Sequence, residues 1–370
     1  MTNPRVALVY DRINSIGGAE RILLALHDIF PSAPLFTSVY EKELAPWASV
    51  FQVQTSFLQY LPRFLRDHTK LSTLMPLAFE QFDLSEFDIV ISVTSEYAKC
   101  VLTKPHTQHI CYMLTPTRYL WTHSERYEHD FFRGIFRVLR PLFRWYRKFA
   151  RIADLAFAQR PDKYVAISNV IQHRVQACYE RVCDRVIYPP IQLDLEKMPL
   201  IQLPQHTYRF FLIVSRLVPY KRIDVAIRVC MKKKRHLIII GKGSDENRLR
   251  HLAHHSSYIH FLGYLTEGEV LGYYQVCEAL LMVGEEDFGL SAIEAMRAGR
   301  PAITHVKSGN AELIRDNVTG ILIQNEMDEA LDAGIERYDG VQWNSRLIRE
   351  DVKKLDQLSF ETNWRRIIYG

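Results

Sequence analysis

The chain has 370 residues, 48% of them hydrophobic, which is enough for two packed cores of ordinary size. Its 47 basic and 42 acidic residues leave a formal net charge of +5, too mild to argue for nucleic acid as a partner. Six cysteines (100, 111, 178, 183, 230 and 277) form no CxxC and no paired metal-ligand spacing. Met1–Tyr10 lacks the order of a secretory signal, and no uncharged apolar run reaches the ~18 residues of a membrane span. The expectation is a cytoplasmic protein with reduced thiols, soluble or peripheral on the inner face of a membrane.

In chain order, the apolar run Val6–Tyr10 predicts a strand. The turn Asn14-Ser-Ile-Gly17-Gly18 follows it, then a helix over Ala19–Phe30. Two glycines at a strand-to-helix turn allow close approach to the backbone, although a plain turn reads the same way. Further strands are predicted at Phe87–Val93, Gln108–Met113, Lys163–Ile167 and Arg185–Tyr188. Between the second and third of these lies a basic, aromatic-rich stretch from Phe131 to Phe157, with Arg133, Arg137, Arg140, Arg144, Arg147, Lys148 and Arg151 at helical spacing. Pro141 divides it into two predicted helices. Such a segment suits an anionic membrane surface; the alternative is a core-facing helix pair with a solvated basic face.

The paired prolines Pro189 and Pro190 cannot continue a ladder, so residues 191–204 read as a linker. The second half repeats the alternation. Strands are predicted at Arg209–Ser215, His236–Gly241, Tyr258–Leu262, Ala279–Val283, Pro301–Val306 and Gly320–Ile323, with helices such as Ile223–Cys230 and Ser291–Ala298 between them. A last amphipathic helix covers Phe360–Tyr369. The predicted architecture is α/β: an N-terminal domain over 1–190, a C-terminal domain over 205–356, and a C-terminal helix over 357–370 packing back on the first domain. Each domain is a doubly wound parallel sheet, and the two face a cleft.

The strongest local signal runs from Gly284 to Pro301, GEEDFGLSAIEAMRAGRP. It follows a strand, opens a helix near Gly289 or Leu290 and stops at Gly299. The unpaired N–H groups at that helix start form an anion site. Glu286 sits in the loop before it, and Glu294 lies roughly 6 Å along the axis from Leu290 at ~1.5 Å per residue. Alone, two such glutamates read as a surface residue and a solvated helix residue. The flanking Phe-Gly-Leu and Ala-Gly-Arg-Pro turn the argument toward a three-part ligand, a diphosphate with hydroxyl-bearing groups on either side. Arg216 and Lys221 bracket a Pro turn at another strand end, where phosphate is bound bidentately by Arg and as a point charge by Lys. The turn Gly241-Lys-Gly-Ser and the segment Ser308-Gly-Asn-Ala-Glu312 are weaker signals of the same kind.

Taken together these residues resemble the GT-B glycosyltransferases of family 4. The pattern Glu286-x7-Glu294, the upstream Ser-Arg-Leu-Val-Pro-Tyr-Lys, the Gly17-Gly18 loop and Ile187-Tyr-Pro-Pro-Ile191 occur in the family's order. Leu114-Thr-Pro-Thr-Arg-Tyr-Leu-Trp121 narrows the resemblance to the WbaZ-like mannosyltransferase branch. The resemblance implies a retaining transfer of a hexose, by default mannose from GDP-mannose, to a lipid-linked or polysaccharide acceptor. It implies a catalytic set of Glu286, Arg216 and Lys221, with Glu286 on sugar hydroxyls and the two cations on the diphosphate. Glu294 would hold the ribose, with Asp287, Phe288, Gly289, Leu290 and Gly241 also on the donor side. Gly17 and Gly18 would lie near the phosphates, and Leu114 and Arg118 on the acceptor and sugar side. No D-x-D occurs, so no cofactor and no metal are expected, the cations taking that role.

One departure stands out. The branch has His where this chain has Leu114, and leucine neither donates a hydrogen bond nor titrates. That keeps open a donor with a 6-deoxy sugar, whose C6 methyl a leucine tolerates. It also keeps open a non-catalytic nucleotide-sugar-binding subunit of an assembly complex. A GT-B epimerase acting on the donor itself is a third reading.

Overall fold

The computed structural model describes residues 4–62, 66, 72–122, 124, 140–191, 193, 201–204, 209–254 and 256–369. Residues 131–139, with Arg133 and Arg137, and most of the expected linker 191–204 lie outside them. The chain divides into two compact units, Met1–Tyr188 with Ile367–Gly370, and Pro189–Arg366.

The first unit is a seven-stranded parallel sheet: β1 (Val6–Tyr10), β2 (Leu35–Thr37), β3 (Val53–Thr55), β4 (Ile89–Thr94), β5 (Gln108–Met113), β6 (Lys163–Ala166) and β7 (Arg185–Val186). Their order is β3-β2-β1-β4-β5-β6-β7. β1 and β4 are buried along their whole length, as a sheet covered on both faces requires, and this is why they read as unbroken apolar runs. The three-residue strands β2 and β3 carry no such run and were not expected. Phe36 and the other buried side chains of β2 do not alternate, and β3 is a half-exposed edge of Val-Gln-Thr. The expected strand Phe87–Val93 starts two residues later, because the Asp88 N–H bonds to Arg5 O before the β4 ladder begins.

Helix α1 (Gly18–Ile29) turns Ile22, Leu23, Leu26 and Ile29 onto the sheet. Helix α2 (Met75–Glu80) covers the β4 side, where Phe79 is fully buried. Helix α3 is described over Arg140–Phe157 and includes Pro141; the residues before it, on which the expected division into two helices turns, lie outside the described ones, and α4 (Asn169–Tyr179) follows β6.

At the carboxyl end of β1, the Asp11 carboxylate accepts hydrogen bonds from the Thr94 hydroxyl and from the N–H groups of Ser95, Glu96, Tyr97 and Ala98, at 2.8–3.1 Å. One side chain thereby ties β1 to the loop after β4.

The second unit is a six-stranded parallel sheet: β8 (Phe210–Val214), β9 (His236–Ile240), β10 (Ile259–Gly263), β11 (Ala279–Met282), β12 (Ala302–His305) and β13 (Gly320–Ile323), in the order β10-β9-β8-β11-β12-β13. Its helices are α5 (Ile223–Lys233), α6 (Glu246–Leu252), α7 (Glu267–Val276), α8 (Leu290–Arg297), α9 (Asp328–Asp339) and α10 (Ser345–Val352). Thr266 opens α7 with a capping box to Glu269. Arg228, Lys232 and Lys233 of α5 pair with Asp328, Asp332 and Glu336 of α9, fixing the two helices in one register. The final helix α11 (Gln357–Tyr369) buries Phe360, Trp364 and Ile367 as one stripe. Its last residues belong to the first unit, where the Lys163 ammonium donates to Ile367 O at 3.3 Å.

His109 of β5 is fully buried, and its Nε2 lies 2.8 Å from the Ser92 hydroxyl. Burial, aided by the positive charge of Arg160, pushes its pKa down to about 3. The folded chain therefore refuses a proton that the unfolded chain takes up near pH 6.5. The stability His109 contributes is full above that pH and is lost as the pH falls toward about 3. Between pH 7 and pH 5 this one group is expected to cost about 2 kcal/mol. Urea midpoints of the native chain and of His109→Gln across that range test this. The variant should show the shallower slope, and parallel curves would mean the folded imidazole is charged.

Candidate functional site

A parallel sheet wound outward from β8 in both directions leaves a crevice between β8 and β11, where the strand order reverses. Two loops meet there, Ser215–Arg222 after β8 and Val283–Gly289 after β11. Their backbones touch: the Gly284 N–H bonds to Lys221 O at 3.3 Å. A Cβ on Gly284 would stand 2.4 Å from Tyr220 O, so only glycine lets the loops close.

Lys221 ends a short 3-10 turn over Pro219–Lys221, and its ammonium forms an ion pair with the Glu286 carboxylate. Both side chains are nearly nine-tenths buried (13% and 11% exposed), so the pair is poorly screened. Glu286 is further held through its backbone. Its N–H donates to the Ser308 hydroxyl at 3.0 Å and its carbonyl accepts from Gly309 N–H at 2.9 Å. A surface-loop reading of Glu286 is thereby excluded.

Gly289 precedes α8 in the left-handed conformation (φ 80°), with no side-chain cap on the helix. A Cβ there would lie 2.6 Å from Asn310 Nδ2 and 2.8 Å from Met282 Sδ. The result is a helix N-terminus left without a side-chain acceptor. Glu294, one turn inside, is buried and accepts from the Tyr274 hydroxyl of α7 at 2.8 Å. Phe288 is buried; Asp287 and Leu290 are half-buried beside it. The helix ends at Arg297, and Gly299 carries the left-handed turn expected of it (φ 83°).

Arg216 is exposed, its guanidinium donating to the Tyr220 hydroxyl at 3.0 Å. The glycine turn after β9 approaches protein backbone. A Cβ on Gly241 would fall 1.9 Å from Ser215 O, and one on Gly243 would fall 2.1 Å from Leu217 O. The Leu217 N–H bonds to Lys242 O and the Asp245 N–H to Leu217 O, both at 2.9 Å.

Glu286, Glu294, Arg216, Lys221, Gly241 and the 287–290 segment thus gather on the loops and helix start at one edge of the second sheet. Gly17, Gly18, Leu114 and Arg118 belong to the first unit. Gly17 caps α1 in extended backbone that any residue adopts, and Glu20 in the first turn accepts from the buried Tyr10 hydroxyl at 2.6 Å. Leu114 follows β5, half-buried, its N–H bonded to Thr94 O at 2.9 Å. Arg118 is half-buried in the loop behind it, which Asp154 of α3 holds by accepting from Trp121 Nε1–H at 2.7 Å.

His109 faces Ser92 inside the sheet and offers no substitute for the missing motif histidine; His123 lies outside the described residues. Burial pushes the thiols of Cys111, Cys230 and Cys277 up to about 12, so these are packing residues and not nucleophiles. Among the described residues no group of three or more His, Cys, Asp or Glu converges as a metal site.

Sequence reasoning missed Tyr274, and it named Tyr220 and Asn310 only within longer segments, with no role of their own. Tyr274 lies in a helix without any pattern of its own. Asn310, fully buried, accepts from the Thr304 hydroxyl at 3.1 Å and sits against Gly289. Its only signal was the Ser-Gly-Asn turn after β12.

Residues 196–338 match the family described as "Glycosyl transferases group 1". An uncharacterized glycosyltransferase of Methanocaldococcus jannaschii is 23% identical over 214 residues, covering 56% of this chain and 58% of that relative. The chain spans between 24% and 58% of the length of the curated relatives it matches. Among solved structures, the lipopolysaccharide outer core galactosyltransferase WaaB superposes with a TM-score of 0.66 at 18% identity over 99% of both chains. Anabaena HepE in complex with UDP and glucose superposes with 0.67 at 14% identity, again over 99% of both. The second unit is thus similar to group 1 glycosyltransferase domains over residues 196–338, and the two sheets have the GT-B fold.

Tyr274→Phe is expected to strip the buried Glu294 carboxylate of a donor and to cost about 1–3 kcal/mol of stability. Urea unfolding measures it, and a variant as stable as the native chain would show that Glu294 does not depend on this bond.

Proposed function

We propose that this chain is a retaining glycosyltransferase of family 4, in its WbaZ-like mannosyltransferase branch. It moves a hexose, by default mannose from GDP-mannose, to a lipid-linked or polysaccharide acceptor. One observation carries the reading. At the strand-order reversal, the Lys221–Glu286 pair, an uncapped helix start and the buried Glu294 stand on adjoining backbone. UDP is bound by a protein of the same fold, which supports a nucleotide-sugar donor here.

In this reading the diphosphate lies on the α8 N-terminus, where N–H groups and the helix dipole favour an anion. Glu294 accepts from ribose hydroxyls and is kept in place by Tyr274. Glu286 accepts from hydroxyls of the sugar. Lys221 reaches the phosphate while still neutralising Glu286, and the exposed Arg216 closes from the other side of the turn. As the bond from the anomeric carbon to the diphosphate breaks, negative charge grows on the leaving oxygen. The acceptor hydroxyl oxygen bonds the same carbon on the face the diphosphate leaves, and its proton passes to the departing phosphate oxygen. Cations already placed at the leaving group stabilise that state more than the bound donor. They also make a metal unnecessary in this proposal.

Leu114 favours a second reading, a donor-binding subunit without turnover or a transferase for a 6-deoxy sugar. The chain against a panel of nucleotide sugars separates these. A donor present at about 100 times its Kd should raise stability by ~2.7 kcal/mol. Glu294→Ala should abolish that shift. Lys221→Met should keep binding but lower kcat/KM by roughly 10²–10³. No shift with any nucleotide sugar would sink the proposal. Binding without transfer to any acceptor would leave the subunit reading, and use of mannose with every 6-deoxy sugar ignored would remove the 6-deoxy one.

A further inference from the structure

The segment after β13 reaches the two loops that carry Lys221 and Glu286. Its Glu326 stands just ahead of α9, where the helix dipole favours a carboxylate. One carboxylate oxygen accepts from the Glu285 N–H at 3.2 Å, and the other accepts from the Arg222 guanidinium at 3.1 Å. Arg222 adjoins Lys221 in the chain, and Glu285 adjoins Glu286. A single side chain thereby ties together the neighbours of both partners of the ion pair.

The tie is anchored at its far end. Arg222 holds the left-handed backbone (φ 53°) that glycine adopts without strain, and its side chain is what the position gains in return. Its Nε–H also donates to Asp224 at 3.4 Å. Asp224 accepts from Arg228 at 3.0 Å, and Arg228 grips Asp328 with two bonds of 2.7 Å. The alternating charges Glu326, Arg222, Asp224, Arg228 and Asp328 so return to the segment they started from. The Arg222 and Glu326 side chains are 24% and 27% exposed. An isolated pair at such exposure contributes little, and linkage into a network is what gives it weight.

In the free chain the Lys221–Glu286 pair already holds the two loops together. Beside it stands the bond from Gly284 N–H to Lys221 O, which at 3.3 Å is long. A diphosphate that attracts the Lys221 ammonium, with hydroxyls that occupy Glu286, weakens that pair just when both groups must stay in place. We propose that Glu326 is a positioning residue of the donor site, which keeps the loops after β8 and β11 together once a ligand loosens the Lys221–Glu286 pair. In purpose this rests on the donor reading above. The clamp itself does not depend on which sugar is bound.

Amide hydrogen exchange of the donor-free chain tests the clamp. Glu326→Ala alone should leave exchange at Gly284 nearly native, because Lys221 still holds Glu286. In a Lys221→Met background, which loosens the pair without a ligand, the same substitution should speed Gly284 exchange at least ~tenfold. Equal effects in the two backgrounds overturn the proposal, as does no effect in either. Turnover of GDP-mannose, with water as acceptor where no other is supplied, tests the positioning. Glu326→Ala should lower kcat by roughly 10–10²-fold and move KM by less than about threefold, since α8 and Glu294 still hold the donor. Glu326→Gln, which keeps an acceptor for the Glu285 N–H, should lie between and carries the test should the alanine variant misfold. Arg222→Gly, which suits that backbone, should lower kcat alike, and the double variant should lose no more than either, because all of them break one tie. Native kcat in Glu326→Ala, or losses that multiply in the double variant, would refute the proposal. Lys232→Gln breaks an α5–α9 pair away from the loops and should keep native kcat; a matching loss there would assign the effect to helix packing instead. A native chain that neither binds nor turns over GDP-mannose, yet shows the exchange pattern, removes the donor assignment and leaves the clamp.

Discussion

A parallel sheet whose chain starts in its own middle must send its loops apart at one point. Both units here are wound that way, outward from β1 and from β8. Everything else at the candidate site depends on this divergence, because there the crossovers leave in opposite directions and do not cover each other. The two units treat that opening differently. In the first, Asp11 fills it, spending its carboxylate on the Thr94 hydroxyl and on four N–H groups of the loop after β4. In the second, the corresponding carboxylate is Glu286, whose partner is a cation on the facing loop. A carboxylate saturated by backbone is structural. A carboxylate held by one movable ammonium has lone pairs left for a ligand.

The second site is built largely from main chain. Glycine at 284 and 309 removes the Cβ atoms that would keep facing loops apart, and glycine at 241 and 243 does the same for the turn after β9. The charged side chains are placed by these contacts. Where Glu286 points follows from the bonds of its own N–H and carbonyl to Ser308 and Gly309.

How much of this was legible in the sequence follows from the same physics. The buried strands β1, β4, β8, β9 and β11 announce themselves, since burial on both faces demands near-continuous apolar runs. β2 and β3 do not, because three residues are too few to show a pattern, whether buried between neighbours as β2 is or at the edge as β3 is. The glutamates, Lys221 and the glycines were readable because charge and missing side chains mark a strand end. Tyr274 and Asn310 were not, since their roles depend on contacts between distant segments. Nor could the sequence tell which face of α3 points outward. The buried pairing of Asp154 with Lys99, from a segment 55 residues earlier, left no mark in the helix's own pattern.

The backbone at position 114 is held by its own N–H to Thr94, a bond that involves no side chain. The Lys221 N–H is likewise held by a carbonyl, that of Val218, whereas the Glu286 N–H rests on the Ser308 hydroxyl. Side chains at such positions can change in evolution without shifting the scaffold beneath them. A different side chain at 114 would then alter the chemistry presented there while leaving the frame beneath it unchanged.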